Sequence, residues 1–586
     1  MTLISHRAPR HRPRPRRRVR LVAVLVAGIT LSAACTGPLG AGRDSRQPAS
    51  VTVVMAPAKA APPAVPNYVL DPDAPIPLDR LPGYAAPTAG EGEWTWSRPL
   101  LDADGALTWR VIGQNDAATP VVWGGGEDYS AVPGVLTFRG NNYRSAPAYG
   151  SADVQDKKLS IEWTHPITAV DSFESRWYGA GWTGQPLLVQ WGAEARAAMG
   201  LNEPFASDPA FTEVLYPVFG GVIHRLDLAT GAVTKPAIEG SCPFKGTAAV
   251  DPRGYPLLYA GQGLPDRDGT ICPWRYRIFD LIENREVAGW AGDDPDAPRA
   301  GWGAFDAAAL IDAESDYLIE GGENGLIYKA RLNASFDAAS GSVSVAPEVT
   351  KVRFAAPSSA RYGIEGSIAA YRNIFFTQDN DGVLAAWDAI TLTNIWARLV
   401  GDDADATVLV EEKTDQLGAY LYVGNEVDHR GDAGVTNLRK IDALTGELLW
   451  QVDVEGVFDA NTNGGLVASP LLGAGQAASL VIFNVARTHG AAGALLGVDK
   501  ATGGVVWRRD LANYSWSSPI GIMGEDGNQY GVFCDSAGLM HLFDPANGED
   551  WDVIFLGGNV ESSPAAFGNM IVVGNYSLNI YGIKIS

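Results

Sequence analysis

Short runs of alternating apolar and polar residues fill most of this chain, and they recur with a period. The clearest copies read I-D-A-L-T-G-E-L-L-W from Ile441 to Trp450 and V-D-K-A-T-G-G-V-V-W from Val498 to Trp507. Related copies start at Asp227, Asp388 and Asp544, and degenerate ones at Asp280 and Asp337, so successive aspartates stand 53, 57, 51, 54, 57 and 45 residues apart. Alternation of period two on either side of a turn signal predicts a β-hairpin. The Asp carboxylate accepts from backbone N–H groups ahead of it, and Gly231, Gly446, Gly503 and Gly548 fall where a positive φ is expected. Asn284 takes that place in the second copy.

Further strand-like runs precede each hairpin, for example Leu480 to Asn484 and Ile571 to Gly574, several of them after Ser-Pro pairs at 469–470, 518–519 and 563–564. Four short antiparallel strands per period describe a propeller blade. Trp396, Trp450, Trp507 and Trp551 follow their aspartates by seven or eight positions and are expected to pack blade on blade. Seven hairpins are visible. The stretch from Ser562 to Ile585 adds three strands without an outermost one, while L-S-I-E-W, Leu159 to Trp163, is a strand without a hairpin. Joining the two predicts an all-β, eight-bladed β-propeller of four-stranded antiparallel blades, its ring closed by the N-terminal strand joining the C-terminal blade. Seven blades are the alternative.

The D-A-x-T-G-x-x-x-W hairpins resemble pyrroloquinoline-quinone (PQQ) type propeller repeats, as found in PQQ-dependent alcohol dehydrogenases and in BamB-type outer-membrane assembly lipoproteins. The resemblance spans residues 157–586. It implies the fold and leaves the activity open, because one fold hosts both enzymes and scaffolds.

The first 34 residues hold eight Arg and no acid, then the apolar run Leu21–Leu31, in the order of an export signal and too short for a comfortable membrane span. L-S-A-A-C places Cys35 where a lipoprotein signal is cleaved and the cysteine acylated, although Ser32 stands where Leu is usual. Residues 35–90, rich in Pro, Ala and Gly, are expected to form a disordered tether. Residues 91–156, with Trp94, Trp96, Trp109, Trp123 and the run V-L-T-F-R-G-N-N-Y-R from Val135 to Arg144, are expected to form an ordered extension that packs on the propeller. The localisation expected is a cell-membrane or cell-envelope lipoprotein.

The formal net charge is −22, and removing the signal leaves 37 basic against 67 acidic residues. That balance opposes nucleic-acid binding. Cys242 and Cys272, each before Pro, are expected to pair in an oxidising compartment, with Cys534 a buried thiol.

The PQQ resemblance implies a stacking floor, a Ca²⁺ site of Glu, Asn and Asp, and a general-base carboxylate. The chain has no Cys-Cys pair of the alcohol dehydrogenase kind and no C-x-x-C-H haem attachment. Sugar-oxidising quinoproteins lack the vicinal pair as well. Residues just before the innermost strands face the channel mouth. Aligned on Ser-Pro, or by weaker matching, they are Trp182, Lys245, Trp302, Glu365, Trp516 and Glu561, a set that could floor a planar or sugar-like ligand or plug and solvate the rim. D-N-D-G from Asp379 to Gly382 reads as a hairpin turn, since no bidentate Glu follows in calcium-loop register. The histidines show no zinc spacing, and no catalytic or metal residues are assigned.

The function expected is that of a membrane-tethered, non-enzymatic scaffold, monomeric, binding an envelope protein or small ligand, with envelope assembly implied by the BamB resemblance. A PQQ-dependent oxidoreductase with Ca²⁺ is the first alternative. A carbohydrate- or cell-wall-binding module is the second.

Overall fold

The aspartate of each repeat closes its turn with a recurring set of hydrogen bonds. Asp442 Oδ1 accepts from Leu444 N, Thr445 N and Thr445 Oγ1, each at 3.0 Å, and Gly446 N reaches back to Asp442 O at 2.8 Å. Asp227, Asp388 and Asp499 bind Thr230, Thr391 and Thr502 through both backbone and hydroxyl. The threonine of the motif is therefore a second lock on the turn. Leu392 and Asn284 adopt the positive φ without being glycine, at 59° and 53°.

The motif's tryptophan belongs to the following turn. Trp450 donates to Lys500 O at 3.1 Å, and a Cβ on Gly503 would come within 2.9 Å of its ring. Trp396 sits likewise on Ala443 O and Gly446, and Trp507 on Pro545 O and Gly548. The turn glycine is thus required twice, for its φ and for the indole lying against it.

The computed structural model describes residues 51–55, 74–173, 175–181, 184–240, 242–459 and 462–586. Cys35 and Trp182 lie outside these residues, as does the segment 1–34 expected to be an export signal. The described chain is an all-β propeller. Seven blades are each continuous in sequence, at 187–239, 249–291, 310–355, 369–399, 409–455, 471–511 and 520–555. Seven is the lower of the two counts read from the sequence. One further four-stranded sheet is composite, with Ala565–Phe567, Met570–Asn575 and Asn579–Ile585 joined by the internal strand Leu159–Pro166. That sheet packs on the seventh blade through Ile571, Val573 and Ile583 and on the first through Val572, Ile580 and Trp163. Trp163 donates to Leu228 O at 2.9 Å and lies on Gly231, which is how the other motif indoles dock.

Three expectations change. Asp337 turns a small inserted hairpin, Ser335–Asp337 with Ser342–Ser344, so the third blade's fourth strand is Glu348–Ala355 instead. The described part of the expected tether is docked. Residues 51–55 pair with Leu448–Glu455, Ile76 and Leu81 are buried, and the Asn373 amide clamps both backbone polar groups of Ile76. Prolines limit the entropy lost on docking, and one side-chain amide satisfies the backbone. Finally, the extension does more than pack on the outside. Trp96–Pro99 and Ala106–Ile112 do extend the third blade, but residues 134–152 cross the channel.

This crossing segment bonds to the inner strand of every blade. Gly134–Val135 pairs with the first blade, Leu136 O accepts from Val250 N, and Thr137 Oγ1 donates to Ala309 O. Asn142 and Tyr143 carbonyls accept from Ala370 N and Val410 N. Arg139 donates to Pro470 O at 2.8 Å and Pro519 O at 3.0 Å, and Arg144 to Ala308 O at 2.7 Å and Ile368 O at 2.8 Å. Ala148–Tyr149 pairs with the composite sheet and Ser151–Ala152 with the seventh blade. Both guanidiniums are fully buried, and burial pushes their pKa down, to about 9 for Arg139 and about 10 for Arg144. Their ligands are neutral oxygens of the chain.

Candidate functional site at the channel mouth

Immediately before the plugged level, the inner strands are tied by a belt of hydroxyls. Thr407 N donates to Ser469 Oγ, Ser469 N to Ser518 Oγ and Ser518 N to Ser563 Oγ, at 3.0–3.1 Å. Ala308 N, Ser367 N and Gln185 N donate likewise to Ser367, Thr407 and Thr247, and Ser563 N to Gly184 O. Six hydroxyls, those of Thr247, Ser367, Thr407, Ser469, Ser518 and Ser563, thus hold the backbone of a neighbour. This is the physical content of the Ser-Pro signal.

Two residues ahead of the belt stand Lys245, Asp306, Glu365, Asp405, Val467, Trp516 and Glu561. Four of the six positions picked from sequence fall in this register. Trp302 lies four residues before Asp306, which holds the equivalent place. Trp182, outside the described residues, stands three rather than two positions ahead of Gln185. The third blade's belt residue, Ala308, has no hydroxyl to mark the register.

Lys245 is the centre of the first group. Its ammonium pairs with Asp306, with Glu365 Oε2 at 3.3 Å and with Glu323 Oε1 at 3.9 Å. Burial opposes its charge, yet Asp306, Glu365 and Glu323 hold its pKa well above the usual lysine value. Burial raises Asp306 to about 6 against the pull of Lys245, and it lifts Glu323 well above the carboxylate range. On Glu365 burial is outweighed by Lys245 and Asn380, leaving its pKa lowered. Asp306, Glu323 and Glu365 have the spacing of metal ligands, but the lysine ammonium already supplies their positive charge.

Aromatic groups form the rim. Trp302 donates to Glu323 Oε2 at 2.6 Å and lies beside Trp274 and Phe173, with ring centroids 5.1 and 5.6 Å away. Trp516 donates to Asn463 O and neighbours Tyr514. Both indoles are half-buried at the mouth, as Trp507 and Trp551 are between blades, whereas Trp396 and Trp450 are buried. Glu561 is buried and accepts from Tyr576 OH at 2.5 Å and Asn559 Nδ2 at 2.7 Å.

A second acidic group was not singled out from sequence. Asp403, Asp405 and Glu426 are buried and stand in hydrogen-bond contact with one another, Asp403 with Asp405 and Asp405 with Glu426. Burial, then mutual repulsion among these carboxylates and Glu365, raises all three pKa values well above the ordinary range. The only sequence signal was the run Asp402-Asp403-Ala404-Asp405, which resembles a solvated loop until the belt register places Asp405 beside Glu365. A site of this kind can hold protons or cations, since buried carboxylates without counter-charge are costly.

The cysteines pair as expected, Cys242 with Cys272, and Cys534 is buried and free. The vicinal-cysteine floor of the quinone-binding alcohol dehydrogenases is therefore lacking, and Lys245 is already engaged by three carboxylates. These residues do not fit a quinone held in that manner.

No protein-family model and no curated protein sequence matches the chain. Among solved structures it is similar to BamB from Moraxella catarrhalis, at 16% identity and a TM-score of 0.43, covering 64% of this chain and 93% of that one. It is also similar to quinohemoprotein alcohol dehydrogenase ADHIIG from Pseudomonas putida HK5 and to quinohemoprotein alcohol dehydrogenase from Comamonas testosteroni. Each of these shows 12% identity and a TM-score of 0.49, covering 77% of this chain and 80% of the other.

Proposed function

We propose that this chain is an exported, membrane-tethered, non-enzymatic β-propeller scaffold that receives a partner protein or ligand at its channel mouth. The observation that carries the reading is the asymmetry of the channel. Residues 134–152 fill it beyond the hydroxyl belt, so the acidic, aromatic-rimmed mouth is the face left to bind. The buried Cys242–Cys272 pair suits an oxidising compartment, in keeping with export and with lipidation at Cys35. The composite sheet is counted as an eighth blade, closing the ring through the strand at 159–166. Its support is that Trp163 docks on the first blade as the other motif indoles dock on theirs. A place in envelope protein assembly is the role the BamB resemblance implies.

The test is capture from the native envelope with wild type, Trp516→Ala and Glu365→Gln as bait. A partner retained by wild type and lost by both variants supports the reading. Capture indifferent to both would move binding away from the mouth. A bound-quinone spectrum with dye reduction, after reconstitution with PQQ and Ca²⁺, would replace the scaffold by an oxidoreductase.

A further inference from the structure

The composite sheet meets the first blade along two faces that strand alternation makes apolar. Trp163, His165 and Ile167 alternate along one and Val222, His224 and Leu226 along the other, and the four apolar members belong to one hydrophobic cluster. In the middle of this seam His165 Nε2 lies 3.1 Å from His224 Nδ1, with ring centroids 5.0 Å apart. One ring donates and the other accepts, and both are half-buried.

The seam between the sixth and seventh blades holds basic residues at the same two positions. Arg509 follows Trp507 by two residues, as His165 follows Trp163, and His541 precedes Asp544 by three, as His224 precedes Asp227. Arg509 Nη2 lies 3.3 Å from His541 Nδ1. There, however, Asp550 joins them, 2.5 Å from each terminal nitrogen of Arg509 and 2.9 Å from His541 Nδ1, and Asp535 Oδ2 lies 3.8 Å from His541 Nε2. Asp550 stands opposite Phe543, and the corresponding residue of the first blade, opposite Leu226, is Val233.

No other acid takes the place of Asp550 beside His165 and His224. Tyr216 stands opposite His224 and accepts from Gly574 N, Glu213 and Arg225 pair with each other, Asp227 holds Thr230, and Tyr581 donates to Leu556 O. Glu162, Glu239 and Lys584, on the neighbouring strands, are exposed. Burial pushes the pKa of His165 down, and burial, then His165, pushes that of His224 down to about 4. On His541 burial is outweighed by Asp535 and Asp550, and its pKa is raised above the ordinary histidine value.

We propose that His165 and His224 form an acid-released latch between the composite sheet and the first blade, which the sixth and seventh blades, with Asp550 at their seam, do not share. The neutral pair is joined by one proton. A first added proton leaves that hydrogen bond intact but sets a positive charge in an apolar seam, and a second leaves two donors facing each other at 3.1 Å. Both rings bind protons less readily in the folded chain than in the unfolded one, where histidine titrates near about 6.5. The latch therefore contributes fully above that pH and loses its contribution as pH falls towards about 4. It acts whether or not a partner occupies the mouth.

The test is a pH titration of the full chain with labelled imidazoles, followed by NMR, on wild type, Val233→Asp and His224→Leu. The His224 signal, identified by its loss in His224→Leu, should titrate below about pH 5 in the wild type. Val233 is 46% exposed, and an aspartate there should raise the His224 midpoint by about one pH unit or more. In hydrogen exchange, protection of 159–166 and 222–227 should fall at least about tenfold between pH 7 and pH 4.5, measured relative to 505–511 and 539–543, and by less in both variants. A melting temperature at pH 7.5 close to that of the wild type shows that each variant folds. A wild-type His224 midpoint at or above the ordinary value, an equal loss of protection at the two seams, or a loss that neither variant reduces would each overturn the latch.

Discussion

Two adjacent levels of the channel bury charge in opposite ways. In the plug, Arg139 and Arg144 are wholly buried with no carboxylate in ion-pair contact among the described residues, the buried Glu320 acting on Arg144 only at longer range, and neutral oxygens accept from Nε and both terminal nitrogens of each guanidinium. At the mouth the carboxylates outnumber Lys245 and Arg299, and Asp405 and Glu426 lie buried against each other without a basic side chain in ion-pair contact among the described residues. A satisfied buried network serves the fold, whereas an unsatisfied one stores a preference for something not yet bound. The contrast separates a structural end of the channel from a receptive one within a few residues of each inner strand.

The most severe test of this contrast is Arg139→Met. Losing the guanidinium strands carbonyls on two blades and on Arg144, so urea unfolding should show a loss of about 5 kcal/mol, at 1–3 kcal/mol per orphaned group. A loss under about 1 kcal/mol would mean the plug is dispensable. Lys245→Met should cost about 4 kcal/mol at pH 8, because removing one partner leaves buried charges uncompensated. That cost should shrink towards pH 5, where Asp306, raised to about 6, takes a proton. A pH-independent cost would show that Lys245 acts through packing.

Asp405→Asn should have the opposite sign. The folded pKa of Asp405 lies above its unfolded value, so the native state holds the extra proton and the group's contribution to stability falls as pH rises beyond the ordinary carboxylate range. The variant should therefore gain on the order of 2 kcal/mol at pH 8 and nothing at pH 3. A destabilised variant at pH 8 would mean the carboxylate already has a counter-ion. Ser518→Ala, in the belt between the two levels, should cost about 1 kcal/mol by orphaning Ser469 N. A cost as large as that of Arg139→Met would place the structural burden in the belt.

The blades were legible because their signals are local. Asp442, Thr445, Gly446 and Trp450 lie within nine residues, and each acts on its own turn or the next one. Lys245, Glu365, Trp516 and Glu561 were found at the mouth because their positions repeat with the blade. Asp306 and Asp405 were not: Ala308 has no hydroxyl to mark the register, and Thr407, like Thr247 and Ser367, is not followed by Pro, so its place rests on the belt hydrogen bonds alone. The role of Val135–Arg144 was hidden for another reason. Arg139 meets partners 331 and 380 residues away, and no periodicity reports a contact of that range.

The composite sheet sets an order of events on the chain. Leu159–Pro166 is made early, yet its partner Asn579–Ile585 follows roughly 420 residues later. Until then the first blade's neighbour is missing and Val572 and Ile580 have not been made to cover Leu188 and Val214. Pairing across such a separation is slow, and it leaves apolar strand faces open meanwhile. Synthesis therefore produces a species with seven blades and two unprotected flanks, whose lifetime is set by the last strand to arrive.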